Sequence, residues 1–201
     1  MGFPPDYIND QTPLDDSEKE GLKISTISSR GELNEFEQFN IQAAIKWSLR
    51  RRIPQNRILS LDFVKELHFR MFFQVWSWAG EFRNSNKNLG VDKFQIGTQL
   101  KILMDDCRYW IENQTFDPDE LVIRTKHRMV SIHPFPNGNG RHSRIYADVL
   151  ITHVFGLELY TWGGGDLVKK GENRKCYLEA LVKADAGDFK PLIAFARKRS
   201  V

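Results

Sequence analysis

Cysteine is scarce. Cys107 and Cys176 are the only two among 201 residues, too few for a disulfide framework. No apolar run approaches the roughly 20 residues that a membrane-crossing helix needs. The opening Met1-Gly-Phe-Pro-Pro-Asp6 lacks the basic-then-apolar order of a secretory signal, and Asp6 stands where a myristoylation signal has Ser or Thr. There is no internal repeat. These absences predict a cytoplasmic, reduced protein with no membrane attachment.

What is present is the composition of a soluble globular domain, 41% hydrophobic and 27% charged. A chain of this length buries roughly 70% of its unfolded surface and needs no structural metal to fold. The net charge of +3 hides an asymmetry: residues 1–22 hold six acids and one Lys, so the remainder carries +8. We read 1–22 as an acidic, mobile leader and 23–201 as one domain. A basic body suits anionic ligands without choosing among them.

Helical periodicity begins at Leu33, with Phe36, Phe39, Ala43 and Trp47 on the predicted apolar face, and is closed by Pro54. Ser60 is placed to cap a second helix carrying Phe63, Leu67, Met71 and Val75. From Trp78 to Gly97 the rhythm breaks into turn residues and short extended pieces, which predicts a small β-hairpin flap. Thr98 then caps a helix with Leu100, Leu103, Cys107 and Trp110, and Asp117-Pro118-Asp119-Glu120 starts another that packs deeply. Further helices are expected over 141–155, 177–186 and from Pro191. The fold class is mainly α, six or seven helices with one hairpin.

The informative segment is His133-Pro-Phe135-Pro-Asn137-Gly138-Asn139-Gly140-Arg141-His-Ser-Arg144. Pro134 and Pro136 end the preceding helix, so His133 lands at its C-terminal end. A glycine-rich turn lets backbone N–H groups approach a ligand, and the next helix begins there with positive potential: an anion cradle. Arg141 and Arg144, three apart, share one side of that helix. Cations are locally disfavoured at such a start, which makes sense if a multiply charged anion binds. Asn137 offers an oxygen to a metal or to a phosphate-bound water. Together these residues point to phosphoryl or nucleotidyl transfer, with His133 as general base.

The pattern His-x-Phe-x-x-Gly-Asn-Gly-Arg-x-x-Arg resembles the signature of the Fic (Fido) domain. Gly31-Glu-Leu-Asn-Glu-Phe-Glu37 and Trp76-Ser-Trp-Ala-Gly-Glu-Phe-Arg83 are similar to its mobile mystery protein B subgroup. The resemblance implies a Fic-type helical bundle that moves AMP from ATP onto a Ser, Thr or Tyr hydroxyl of a target protein. It implies His133 as the base, Phe135 as the loop anchor, and Gly138, Asn139, Gly140, Arg141 and Arg144 around the nucleotide phosphates. Position 137, usually an acid that holds Mg²⁺, is Asn137 here. Lys93, Phe94, Gln95 and Ile96 would form the flap that docks the target, and Asn173 and Tyr177 would contact the adenine. Ser28-Ser-Arg-Gly-Glu32-Leu33 approaches the family's inhibitory motif. Glu32 is therefore read either as an inhibitory carboxylate or as part of an ordinary helix start. A toxin-like member would also have a separate antitoxin as partner. The alternatives are a catalytically weak nucleotide-binding regulator and transfer of another phosphate-containing group.

Other clusters carry less. His127, His142 and His153 match no zinc spacing with His133. Arg50-Arg51-Arg52 and Arg197-Lys-Arg199 read as solvated helix ends, not nucleic-acid contacts.

Overall fold

The computed structural model describes residues 20–27, 30–50, 52–165, 167 and 171–198. Residues 1–19 of the acidic leader lie outside them, as do Ser28, Ser29, Arg51 and Arg199. Among the described residues are eight α-helices: α1 (Arg30–Arg50), α2 (Gln55–Ile58), α3 (Leu61–Phe72), α4 (Ile96–Glu112), α5 (Pro118–Ile132), α6 (Asn139–Phe155), α7 (Glu172–Asp185) and α8 (Lys190–Arg197).

The boundaries follow local chemistry. Ser60 caps α3, its hydroxyl accepting from the Phe63 N–H at 3.2 Å. Pro118 opens α5 with Asp119 and Glu120 beside it, and α6 stops on Gly156 in the left-handed conformation. Thr98 is not a cap. A 3₁₀ turn, Lys93–Gln95, runs straight into α4, and the cap is Asp92, whose carboxylate accepts from the Phe94 N–H at 2.9 Å.

At the centre α5 and α6 pack against each other, joined by the signature turn. Helices α1, α2 and α3 cover α6, α4 packs on α5 and α3, and α7 and α8 pair beside α5. Phe63, Leu67, Met71, Leu100, Leu103, Phe135 and Tyr146 fill the core, and the Tyr146 hydroxyl donates to the Ile58 carbonyl at 2.7 Å. Cys107 is buried on the apolar stripe expected for it, and burial pushes its thiol up to about 11. Every residue of α5 from Leu121 to Ile123, Thr125 to His127, and Met129, Val130 and Ile132 is buried.

Two expectations are corrected. The apolar face of α1 is rotated: Phe36 and Phe39 are exposed, while Glu37, Asn40, Ile41, Ala44 and Ser48 point inward. A carboxylate on the inward face breaks the hydrophobic rhythm, and the reason is its partner, described below. Nor is there a hairpin. Among the described residues the only β pairing is an isolated antiparallel bridge between Leu22 and Trp76. Between Phe82 and Phe94 the backbone groups a ladder would use bind elsewhere: the carbonyls of Ser85 and Val91 accept from Arg83, and the Lys93 N–H donates to the Asn86 side chain at 2.8 Å.

Candidate active site

Helix α5 delivers His133 to its C-terminal end. His133 is itself the cap, in left-handed conformation (φ +54), and its N–H donates to the Met129 carbonyl at 3.3 Å. Such a φ is strained for a residue with a side chain, and the surrounding bonds hold it there. Arg83 Nε donates to the His133 carbonyl at 2.7 Å, and the Arg83 N–H donates to the Pro134 carbonyl at 2.9 Å. The same guanidinium donates to the carbonyls of Ser85 (2.7 Å) and Val91. Arg83 is thus a buried clamp between the flap loop and the His133 backbone.

The imidazole of His133 is 2% exposed. Burial, aided by the Arg83 charge and opposed by a hydrogen bond to the Val130 backbone, lowers its pKa to about 4. At neutral pH it is uncharged, the form that accepts a proton.

The turn itself is braced from inside. The Asn139 side chain brackets Phe135: its oxygen accepts from the Phe135 N–H (2.9 Å) and its nitrogen donates to the Phe135 carbonyl (2.8 Å). Asn139 therefore shapes the cradle with its side chain and can meet an anion only through its backbone. Phe135 is buried and stacks on His68, with centroids 3.7 Å apart and planes at 10°. This is the anchor role expected of Phe135.

Gly138 caps α6 at φ +76, and a Cβ there would lie 2.5 Å from the Phe72 ring. Only glycine satisfies both the backbone and the space. Gly140 follows in the first turn of α6, where unpaired N–H groups point out of the helix start.

His68 lies beneath the turn. Its Nδ1 accepts from the Gly80 N–H (3.0 Å), so Nε2 carries the hydrogen and donates to the Asn137 carbonyl (3.1 Å). Burial, with the neighbouring His142, holds its pKa well below the ordinary histidine range. His68 is on the buried side of α3, and no sequence pattern singled it out. Only the fold brings it to the signature. Arg83 likewise carried no signal beyond its place in a turn-rich stretch.

The two signature arginines differ. Arg141 donates to the Glu37 carboxylate at 2.6 Å, and the other Glu37 oxygen accepts from the Trp76 indole N–H at 2.7 Å. Its guanidinium also lies 5.0 Å from the Phe72 ring centroid. Arg144 makes no ion pair with a carboxylate among the described residues; its guanidinium lies 5.5 Å from the centroid of the Tyr177 ring. Glu32 is exposed in the first turn of α1. The carboxylate that reaches the signature is Glu37, one and a half turns further on.

Other expected positions separate. Lys93, Phe94 and Gln95 line the outside of the flap, with Phe94 85% exposed, but Ile96 is 1% exposed inside the core and cannot meet a target. Asn173 packs against the triglycine turn: a Cβ on Gly163 (φ +75) would lie 2.5 Å from its oxygen. Tyr177 is buried, facing Lys126.

Asn137, the sequence candidate for a metal ligand, turns its side-chain oxygen back onto the Gly138 N–H at 2.5 Å. Among the described residues no cluster of three His, Cys, Asp or Glu could hold a metal. The residues present do not fit a protein-borne Mg²⁺ site.

Residues 58–151 match the Fic/DOC family. The protein adenylyltransferase Fic of Aedes aegypti is 27% identical over 163 residues, 79% of this chain and 31% of that protein. The chain thus spans about a third of the length of the curated relatives it matches. Among solved structures, Fic-1 from C. elegans superposes with a TM-score of 0.68 at 22% identity, covering 89% of this chain and 51% of that one. The BepC protein of Bartonella tribocorum, solved with bound AMPPNP, superposes at 0.66 and 18% identity, covering 91% and 97%. These likenesses establish the fold. In addition, among the described residues no helix is long and apolar enough to cross a membrane.

Proposed function

We propose that this chain, which carries a Fic/DOC-family domain, is a protein adenylyltransferase that moves AMP from ATP to a hydroxyl side chain of a target protein. The observation that carries the reading is His133: a buried, uncharged imidazole whose backbone is held by Arg83 beside a glycine-shaped anion cradle. The curated relatives with this activity support it.

The triphosphate lies along the start of α6, its charge met by the N–H groups of Asn139 and Gly140 and by Arg141 and Arg144, with Gly138 shaping the turn. The target hydroxyl attacks the α-phosphorus. Its proton passes to His133, the new P–O bond forms, and the bond to the β-phosphate oxygen breaks to release pyrophosphate. An imidazole with a pKa of about 4 is a weak base, but a bound polyanion raises that pKa by favouring the charged form. Phe94 and Lys93 on the flap offer the docking surface for the target segment. Mg²⁺ would enter only as companion of the triphosphate, neutralising part of its charge. The stretches 31–37 and 76–83 favour the mobile mystery protein B subgroup, and with it a toxin-like enzyme in the cytoplasm held in check by a separate antitoxin.

One observation favours a second reading, a nucleotide-binding regulator with weak catalysis: the Asn137 oxygen is engaged by its own turn. Incubation with α-labelled and γ-labelled ATP separates the readings. Label from the α-position on protein, lost in His133→Ala while ATP still binds, supports AMP transfer. Label from the γ-position means kinase chemistry, and no label leaves the regulator. An unchanged Mg²⁺ requirement in Asn137→Asp counts against any metal role for position 137.

A further inference from the structure

Glu37 is a carboxylate placed where a hydrophobic side chain would pack. It lies 4% exposed on the inward face of α1, the face that carries Ile41 and Ala44 into the core. Taking a carboxylate out of water is costly, and a buried ion pair repays that cost poorly beside an apolar residue of the same volume. Stability alone therefore gives no reason for an acid here. Its two oxygens have different partners. One meets the Arg141 guanidinium at 2.6 Å, and the other accepts from the Trp76 indole N–H at 2.7 Å.

A carboxylate facing an arginine ordinarily takes both arms. The planar fork of the guanidinium matches two oxygens at once, and the two-handed pair is the stronger form. Here Glu37 holds Arg141 by Nη1 alone. Among the described residues this guanidinium has no other hydrogen-bond acceptor, so the rest of its fork is left for a ligand. Trp76 holds the second oxygen, and Trp76 is itself fixed. It is 3% exposed, and its ring stacks on Trp78 with centroids 4.8 Å apart and planes at 22°. Its backbone N–H donates to the Phe72 carbonyl at 2.9 Å. The chain on either side is stitched to residues 21–23: the Lys23 N–H donates to the Val75 carbonyl and the Ser77 N–H to the Gly21 carbonyl, both at 2.8 Å. An indole held this way cannot follow a carboxylate that turns away from it.

We propose that Trp76 is a positioning residue for the triphosphate site: its indole N–H holds one oxygen of Glu37 and so keeps that carboxylate from closing on both arms of Arg141. The proposal rests on the nucleotide reading above for its ligand, and on the Trp76–Glu37–Arg141 geometry for its mechanism. Glu37 steadies Arg141 by one arm, at a helix start that itself disfavours a cation, and leaves the other arm to the phosphates. Without the indole donor, a buried carboxylate oxygen is orphaned and takes the donor it can reach, the second arm of Arg141. The carboxylate then competes with the phosphates. Trp76 touches no ligand; it acts through Glu37.

The test uses the full chain. Trp76→Phe keeps a ring against Trp78 and removes the donor. Calorimetry then finds ATP bound about tenfold more weakly and AMP within about twofold of the parent. Adding Glu37→Gln to Trp76→Phe removes the competitor and returns ATP to within about threefold of the parent. A core-packing role for Trp76 gives no such rescue. Equal losses for ATP and AMP, or a double variant no tighter for ATP than Trp76→Phe, overturn the proposal. A second readout needs no nucleotide. In side-chain NMR the Arg141 guanidinium, assigned through Arg141→Lys, rotates more slowly in Trp76→Phe than in the parent, because both arms are held, and fastest in the double variant. Rotation unchanged or faster in Trp76→Phe overturns the proposal. If Trp76→Phe does not fold, the parent decides. Its Trp76 indole proton, assigned through contacts with Trp78, stays protected from exchange when ATP binds, and release of that proton on binding overturns the proposal. A parent that binds neither nucleotide sinks the AMP-transfer reading, while the rotation of Arg141 still decides the role of Trp76.

Discussion

The carboxylate of Glu37 sits between two donors from distant parts of the chain, the Arg141 guanidinium at 2.6 Å and the Trp76 indole at 2.7 Å. Glu37 is 4% exposed. It ties α1 and the loop after α3 to the first turn of α6, so the position of one signature arginine is set by a helix 104 residues away in sequence.

Glu37→Gln keeps the shape and removes the charge. The partly buried Arg141 cation is then left without its counter-ion beside a buried acceptor, a loss of about 2 kcal/mol, below the range for broken fully buried pairs. Urea unfolding of the variant checks this. A loss under about 1 kcal/mol would mean that Arg141 swings to solvent and that the pair is not structural.

Arg83→Met removes three donors to carbonyls and loosens the backbone of His133. We expect a stability loss of about 2 kcal/mol or more and a fall of about 100-fold in AMP transfer, with ATP affinity within threefold. Arg83→Lys recovers little, because a single ammonium cannot reach three carbonyls set in a fork. Single-turnover labelling beside nucleotide calorimetry checks the split; a loss confined to ATP affinity would contradict the clamp.

Much of this arrangement was readable from residues and spacing. Proline and glycine punctuation fixed the turn between α5 and α6, and Phe135 was rightly its anchor. Asp117-Pro118 marked the start of α5. The rest failed for identifiable reasons. On α1 the phenylalanines suggested one face, but the helix turns Glu37 inward because Arg141 and Trp76 wait there, and no local pattern encodes a partner so far along the chain. The hairpin was inferred from turn residues and short extended pieces, and Arg83 takes the carbonyls that strands would have shared. His68 was not singled out at all, yet it is buried in the core and is the prop beneath Asn137. The weak point of the reading was side-chain roles: Asn139, Asn173 and Tyr177 were assigned to ligand, and the fold uses their side chains for the cradle, a glycine turn and a buried lysine.

Acid should unfold the protein through its buried histidines. His133 and His142 have pKa values of about 4 when folded, lowered chiefly by burial, and His68 is lowered too. An unfolded histidine titrates near ~6.5, so the unfolded chain binds more protons between the two values. Their stabilising contribution is complete above about pH 6.5 and is lost as pH falls toward 4, roughly 2 kcal/mol per histidine between pH 6.5 and 5. Denaturation midpoints across that window test the slope; His142→Gln should flatten it by one histidine's share.

Asp148 acts in the opposite sense. Burial raises its pKa to about 7, against hydrogen bonds from Trp162 and Tyr160 that favour the ionised form. The folded state therefore holds a proton that the unfolded state releases. This contribution is full below about pH 4 and disappears as pH rises through 7. Asp148→Asn should be more stable than the parent at pH 8, by a few kcal/mol, and equal to it near pH 4. Parent and variant melting curves that run parallel from pH 5 to 8 would refute the assignment.

The bracket that Asn139 places around Phe135 spans four residues, whereas the Glu37–Arg141 bond spans 104. Closing a short loop costs little chain entropy, and closing a long one is paid only after intervening structure has formed. Assembly is therefore ordered. The turn acquires its shape as soon as α5 and α6 meet, before α1 docks. Because α1 comes from the N-terminal side, it is made first and seated last, and its arrival fixes Arg141 only when the rest of the bundle is in place.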